Sequence, residues 1–127
     1  MSAQAGRFIL PDLLGFLVQA IERVNEDIGS LSKAQFLADS RSGRQVRDAV
    51  VLNLGTMGEV AGDIRTRFPG FAAAHPEIPL ARMWDMRCHL FHGYHAINYD
   101  LVWTTCRSAV PDLERQIRDA LDGIARD

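Results

Sequence analysis

The chain has 127 residues, a net charge of −2, and 47% hydrophobic against 24% charged residues. That length fits one domain with a core of its own, and that composition excludes disorder of the whole chain. The charge balance excludes a general nucleic-acid binder, whose affinity comes from a clear excess of Lys and Arg; any nucleic-acid contact here has to be local.

Lys33 is the only lysine, so the positive charge is carried almost wholly by arginine. Guanidinium groups suit bidentate contact with carboxylate or phosphate, although arginine richness is also what a GC-rich genome produces. Cys88 and Cys106 are the only cysteines. Without a secretory signal they read as reduced thiols rather than a disulfide framework. No apolar run approaches the roughly 18 residues of a membrane span, so a cytoplasmic location and no membrane association are expected.

The first periodic stretch opens at Pro11 and carries Leu13, Leu14, Leu17, Ile21, Val24 and Ile28. Steps of three and four residues define one face of a helix, with proline in its first turn and Gly29 at its end. The leading residues 1–9 are expected to be a flexible tail. Ser32 and Gln35 form a capping box for a short second helix bearing Phe36 and Leu37. Ser42 and Gln45 repeat that spacing before a long third helix with the stripe Val46, Val50, Asn53, Met57, Val60, Ile64 and Phe68. Gly55, Gly58 and Gly62 fall inside it, each costing about 1 kcal/mol relative to alanine. Close approach of another helix backbone, as across a dimer interface, would account for them; a poorly optimised, partly kinked helix is the alternative.

Residues 71–78 read as a loop. Pro79 starts a fourth helix with Leu80, Met83, Trp84, Arg87, Leu90, Phe91 and Tyr94 on its stripe, and Gly93 is placed where helices commonly turn left-handed. A fifth stretch covers residues 98 to about 107, with Leu101, Val102 and Thr105 inward; Pro111 begins a last helix through Leu113, Ile117, Ala120, Leu121 and Ile124. No stretch alternates as a strand does. The expected class is all-α, an up-and-down bundle of five to six helices in a single domain over residues 1–127.

Arg87 is the anomaly of the fourth helix. A charge on a packing stripe must be paired, hydrogen-bonded or open to a cleft, and Glu59 and Asp63 on the third helix are the available acceptors for a purely structural pair. Yet His92 follows five residues later and Tyr94 two after that. A cation able to hold phosphate, an imidazole that titrates near neutrality and a phenol thus meet at one helix end. The inventory suits metal-independent RNA cleavage through the 2′-hydroxyl, with His92 moving protons, Arg87 stabilising the crowded phosphorane and Tyr94 positioning the phosphate.

The segment RCHLFHGY (residues 87–94) resembles the R-x4-H-x-Y pattern of HepT-like proteins in the HEPN superfamily. NLGTMGEVAGDI (53–64) is similar to the "GEA" helix of that family, and IPLARMW, INYDLVW and VPDLERQI also lie where the family has like segments. The resemblance runs from about residue 10 to residue 121. It implies an all-α homodimer whose motif helices face each other, so that two histidines and two arginines line one cleft. It further implies the toxin of a bacterial toxin–antitoxin pair: a ribonuclease acting on RNA without a cofactor, and a small nucleotidyltransferase antitoxin that transfers AMP onto the motif tyrosine, here Tyr94. A phosphoester there adds negative charge and bulk where RNA phosphate binds.

The chain departs from the family at Cys88, where Asn or another strong hydrogen-bonding side chain commonly follows the arginine. A thiol is a weak donor and acceptor, so Cys88 supports the site less well. Glu59 is a second supporting candidate, orienting or neutralising Arg87. Cys88, His89, His92 and His95 do not make a metal site, because steps of three drift around a helix that Gly93 interrupts, and none is assigned. Trp84 and Trp103 read as core aromatics, His75 as a solvated loop residue, and Glu114, Arg115, Arg118, Asp119 and Asp122 as a solvated face. The competing functional reading is a non-catalytic HEPN module that binds nucleotide or a nucleotidyltransferase through the same surface.

Overall fold

The computed structural model describes residues 8–126, with the backbone alone at Tyr94. The described residues form an all-α bundle: α1 (Leu10–Ile28), α2 (Lys33–Leu37), α3 (Arg41–Arg67), α4 (Pro69–Ala74), α5 (Leu80–His92), α6 (Tyr99–Thr104) and α7 (Val110–Arg126). α6 and α7 are one continuous helix joined by a π-helical segment, Thr105–Ala109, so the bundle has six separate helices. α3 is the central element, with α5 packed on one side of it and α1 on another, and α7 packs on α1.

α1 begins where the Ile9 N–H donates to the Asp12 carboxylate at 3.1 Å. It ends at Gly29, whose φ of 46° is the left-handed value that a side chain disfavours. Its expected stripe is the buried one: Leu13, Leu14, Leu17, Ile21, Val24 and Ile28. At roughly 25 cal/mol per Å2, burying each such side chain contributes on the order of 1.5–3 kcal/mol before chain entropy is charged against it. Of the tail expected at 1–9, residues 1–7 lie outside the described residues. Phe8 packs edge-on against Phe16 at 5.0 Å, and its carbonyl accepts from Arg67.

The capping box of α2 forms as expected. The Ser32 hydroxyl accepts from the Gln35 N–H, and the Ser32 N–H donates to the Gln35 side chain. α3 is capped differently from expectation: Ser40, not Ser42, is the N-cap and accepts from the Gly43 N–H at 3.0 Å. Ser40 is the residue in extended conformation, which aims its oxygen at the open N–H groups of the first turn. Arg47, which periodicity does not single out, is buried beneath α2. It donates to the carbonyls of Phe36 and Ala38 at the end of that helix and lies over the Tyr99 ring.

Residues 71–78 are not all loop, since α4 covers the first part of them. Pro69 fits its first turn and three successive alanines favour helix. His75 follows α4 as a partly exposed loop residue, as expected, with its ring against Phe71 and 3.1 Å from Glu77. The break expected between the last two helices is also absent. Pro111 has no N–H for the Arg107 carbonyl, and the chain widens instead, with the Val110 N–H donating to Thr105 five residues back. Leu101 is exposed, contrary to expectation, on the rim of an apolar groove formed with Leu54, Met57, Met83, Met86 and Leu113. No helix among the described residues is long and apolar enough to cross a membrane.

Candidate active site

α5 is set against α3 by the three glycines. A Cβ at Gly58 would run into the Arg87 Cβ and come within 2.5 Å of the Met83 carbonyl; one at Gly62 would lie 2.6 Å from the Trp84 ring; one at Gly55 would collide with the Phe91 ring. The close approach inferred from these glycines is therefore made within the chain. Trp84, Arg87 and Phe91 share the spacing of Gly55, Gly58 and Gly62, and each large group fits the notch left by a missing side chain.

Arg87 is held on three sides. Its guanidinium lies 4.8 Å from the Trp84 ring and 5.4 Å from the Phe91 ring, and its Nε is 2.8 Å from the Glu59 carboxylate. The Nε approach is an ion pair whose angle falls outside hydrogen-bonding geometry, and both atoms are buried without a hydrogen-bond partner. The Arg87 side chain keeps 26% of its surface exposed and that of Glu59 keeps 37%. A half-exposed pair of this kind contributes about 1 kcal/mol or less by charge alone; the stacking adds geometric definition. Of the two acceptors available from sequence, Glu59 is the partner. Asp63 is buried one turn further along α3, and its pKa is raised first by that burial and then by the neighbouring Glu59, with Arg67 opposing.

His92 is exposed in the last turn of α5. It lines a shallow open depression with Asp85, Cys88, His89 and Gly93. Five residues at 100° each put Arg87 and His92 about 140° apart around the helix axis. Arg87 faces α3 and His92 faces solvent, so one chain displays the two groups without converging them on a common point. The helix ends at Gly93 with φ −104°, not left-handed as expected, and rolls into a 3-10 turn over Tyr94–Ala96. The Tyr94 side chain lies outside the described residues. Cys88 is half-buried in the His92 depression, whereas Cys106 belongs to the core, where burial pushes its thiol up to about 12 and leaves it inert.

Neither tryptophan stands free. Trp84 is the platform for Arg87, and Trp103 packs against Phe36 at 5.3 Å while Arg107 covers its ring. Sequence reasoning treated both as core and so missed the pairing of Trp84 and Phe91 around Arg87. Their positions three residues before and four after Arg87 are the signal that would have found it.

The chain is similar to proteins named as ribonucleases over most of its length. A family model described as "Ribonuclease HepT-like" matches residues 17–120. A protein of Thermococcus cleftensis named "Probable ribonuclease HepT" is 30% identical over 103 residues, covering 81% of this chain and 87% of its own. A protein of Caldanaerobacter subterraneus named "Putative RNase TTE0752" is 28% identical over 108 residues, covering 85% and 90%. No solved structure matches the chain. The matched region spans every element that builds the Arg87–His92 helix end, and the chain belongs to the HepT-like ribonuclease family.

Proposed function

We propose that this chain is a metal-independent endoribonuclease, the toxin of a bacterial toxin–antitoxin pair acting in the cytoplasm. The observation that carries the reading is the end of α5. An arginine fixed by Trp84, Phe91 and Glu59 keeps 26% of its side chain exposed, and an exposed histidine follows it within the R-x4-H-x-Y motif. His92 removes or supplies the proton, Arg87 meets the charge that grows on the phosphorane, and Tyr94 positions the phosphate. Glu59 acts through Arg87, as a positioning residue. Cys88 offers only a weak contact beside His92.

The divergence of Arg87 and His92 around α5 favours a homodimer, in which motif helices from two copies bring a histidine and an arginine to one RNA phosphate. A small nucleotidyltransferase antitoxin that esterifies Tyr94 with AMP would silence the enzyme by placing negative charge where the RNA phosphate binds. The reading is tested by the ends it leaves. RNA incubated with the purified chain in EDTA is expected to yield 5′-hydroxyl and 2′,3′-cyclic phosphate termini. Cleavage that stops in EDTA, or that leaves 5′-phosphates, contradicts it.

A further inference from the structure

Cleavage through the 2′-hydroxyl needs two proton transfers: one away from the attacking oxygen and one onto the departing one. The family motif names a single histidine per chain. This chain carries another, His89, on the same side of the same helix. His89 and His92 are both exposed, both lie in the last turn of α5 and both line the depression that also contains Asp85 and Cys88. Residues three apart on a helix have Cβ atoms about 5–6 Å from each other, a span that brackets one phosphodiester.

We propose that His89 is a second catalytic residue, the general acid that complements His92 as general base within one chain. The proposal rests on the ribonuclease reading above. In the step it describes, neutral His92 takes the proton of the 2′-hydroxyl as the 2′-oxygen bonds to phosphorus. The bond from phosphorus to the 5′-oxygen breaks, and protonated His89 passes its proton to that oxygen. The products are a 2′,3′-cyclic phosphate and a 5′-hydroxyl, with one proton gained by His92 and one lost by His89.

The division of roles follows from the surroundings. Asp85 precedes His89 by four residues, the spacing at which a carboxylate and a following imidazole are neighbours on a helix surface, so His89 is the histidine with a carboxylate beside it. His92 lies a further turn from Asp85. The depression is lined by α5 and Gly93 alone among the described residues, and its titratable groups are Asp85, Cys88, His89 and His92. Arg87 points the other way, towards Glu59.

The test uses His89→Gln on two oligoribonucleotides spanning a scissile bond mapped with the parent chain. One is ordinary RNA, and in the other the departing 5′-oxygen is replaced by sulfur, which leaves without a proton. On ordinary RNA the variant is expected to cleave at least 100-fold more slowly and to lose the fall in rate at high pH that deprotonation of the acid causes. On the sulfur substrate it is expected to recover to within a few-fold of the parent. An equal loss on both substrates would show a merely structural or binding role and overturn the proposal, as would parental rates on both with the pH profile unchanged. Either of those results leaves the ribonuclease reading standing; a parent that cleaves no RNA overturns both. Since His89 is exposed, the melting temperature of the variant should match that of the parent.

Discussion

Gly58→Ala is expected to destabilise the fold by roughly 2–3 kcal/mol, lowering the melting temperature by about 10 °C. In a free helix the change would stabilise by about 1 kcal/mol, because glycine is a poor helix former. Here the added methyl meets the Arg87 Cβ and the Met83 carbonyl, both parts of the α5 backbone or fixed to it, so neither yields by a side-chain rotation. α5 must move away from α3 as a body. That displacement also loosens Trp84 and Arg87, so activity should fall together with stability. Gly15→Ala is the internal comparison: nothing lies within 4 Å of the new methyl, and a gain of about 0.5–1 kcal/mol is expected. Thermal melts of the two variants measured beside the parent check both signs.

Arg87→Ala is expected to slow RNA cleavage by about 100- to 1,000-fold, the usual cost of removing a preorganised donor aimed at developing charge. Arg87→Lys should recover little of that loss. Lysine keeps the charge, but it has no planar group to stack between Trp84 and Phe91 and no fork to grip a phosphate while Glu59 occupies one edge. The loss should fall mainly on kcat, since the interaction grows as charge accumulates in the transition state. A lysine variant with the parental rate would mean that bare charge suffices and that the aromatic clamp has no part in the chemistry.

The long helices are legible from sequence because their apolar residues recur every three or four positions and are the ones that become buried, as in α1 and at Val50, Met57, Val60 and Ile64 of α3. α4 is not legible, since six residues are too few to show a stripe. Pro111 reads as a helix start because proline favours first turns, yet the π-helical segment ahead of it relieves the same lack of an N–H without ending the helix. The spacing favours Ser42, which has Gln45 three residues on where Ser40 has only Gly43, yet Ser40 forms the cap. The outcome depends on which serine is extended.

At the candidate site, Arg87, His92 and Tyr94 are proposed from a motif, and Glu59 from a charge that needs a partner, which its ion pair with Arg87 supplies. Two features are not legible. The glycines announce a close approach but not its partner, which proves to be α5 of the same chain. The buried Arg47 answers carbonyls 9 and 11 residues away that no local pattern connects to it. From sequence, Arg87 and His92 come together at one helix end, yet five residues along a helix set them about 140° apart, so one chain does not put them on one face.

The most direct test of the central claim is the single-turnover rate of RNA cleavage by the parent and by His92→Ala, measured in EDTA on the same substrate. His92 is exposed and makes no core contact, so the variant should melt with the parent. The ribonuclease account predicts that its rate falls by at least 100-fold. A folded His92→Ala variant that cleaves RNA at the parental rate would contradict it and place the chemistry elsewhere.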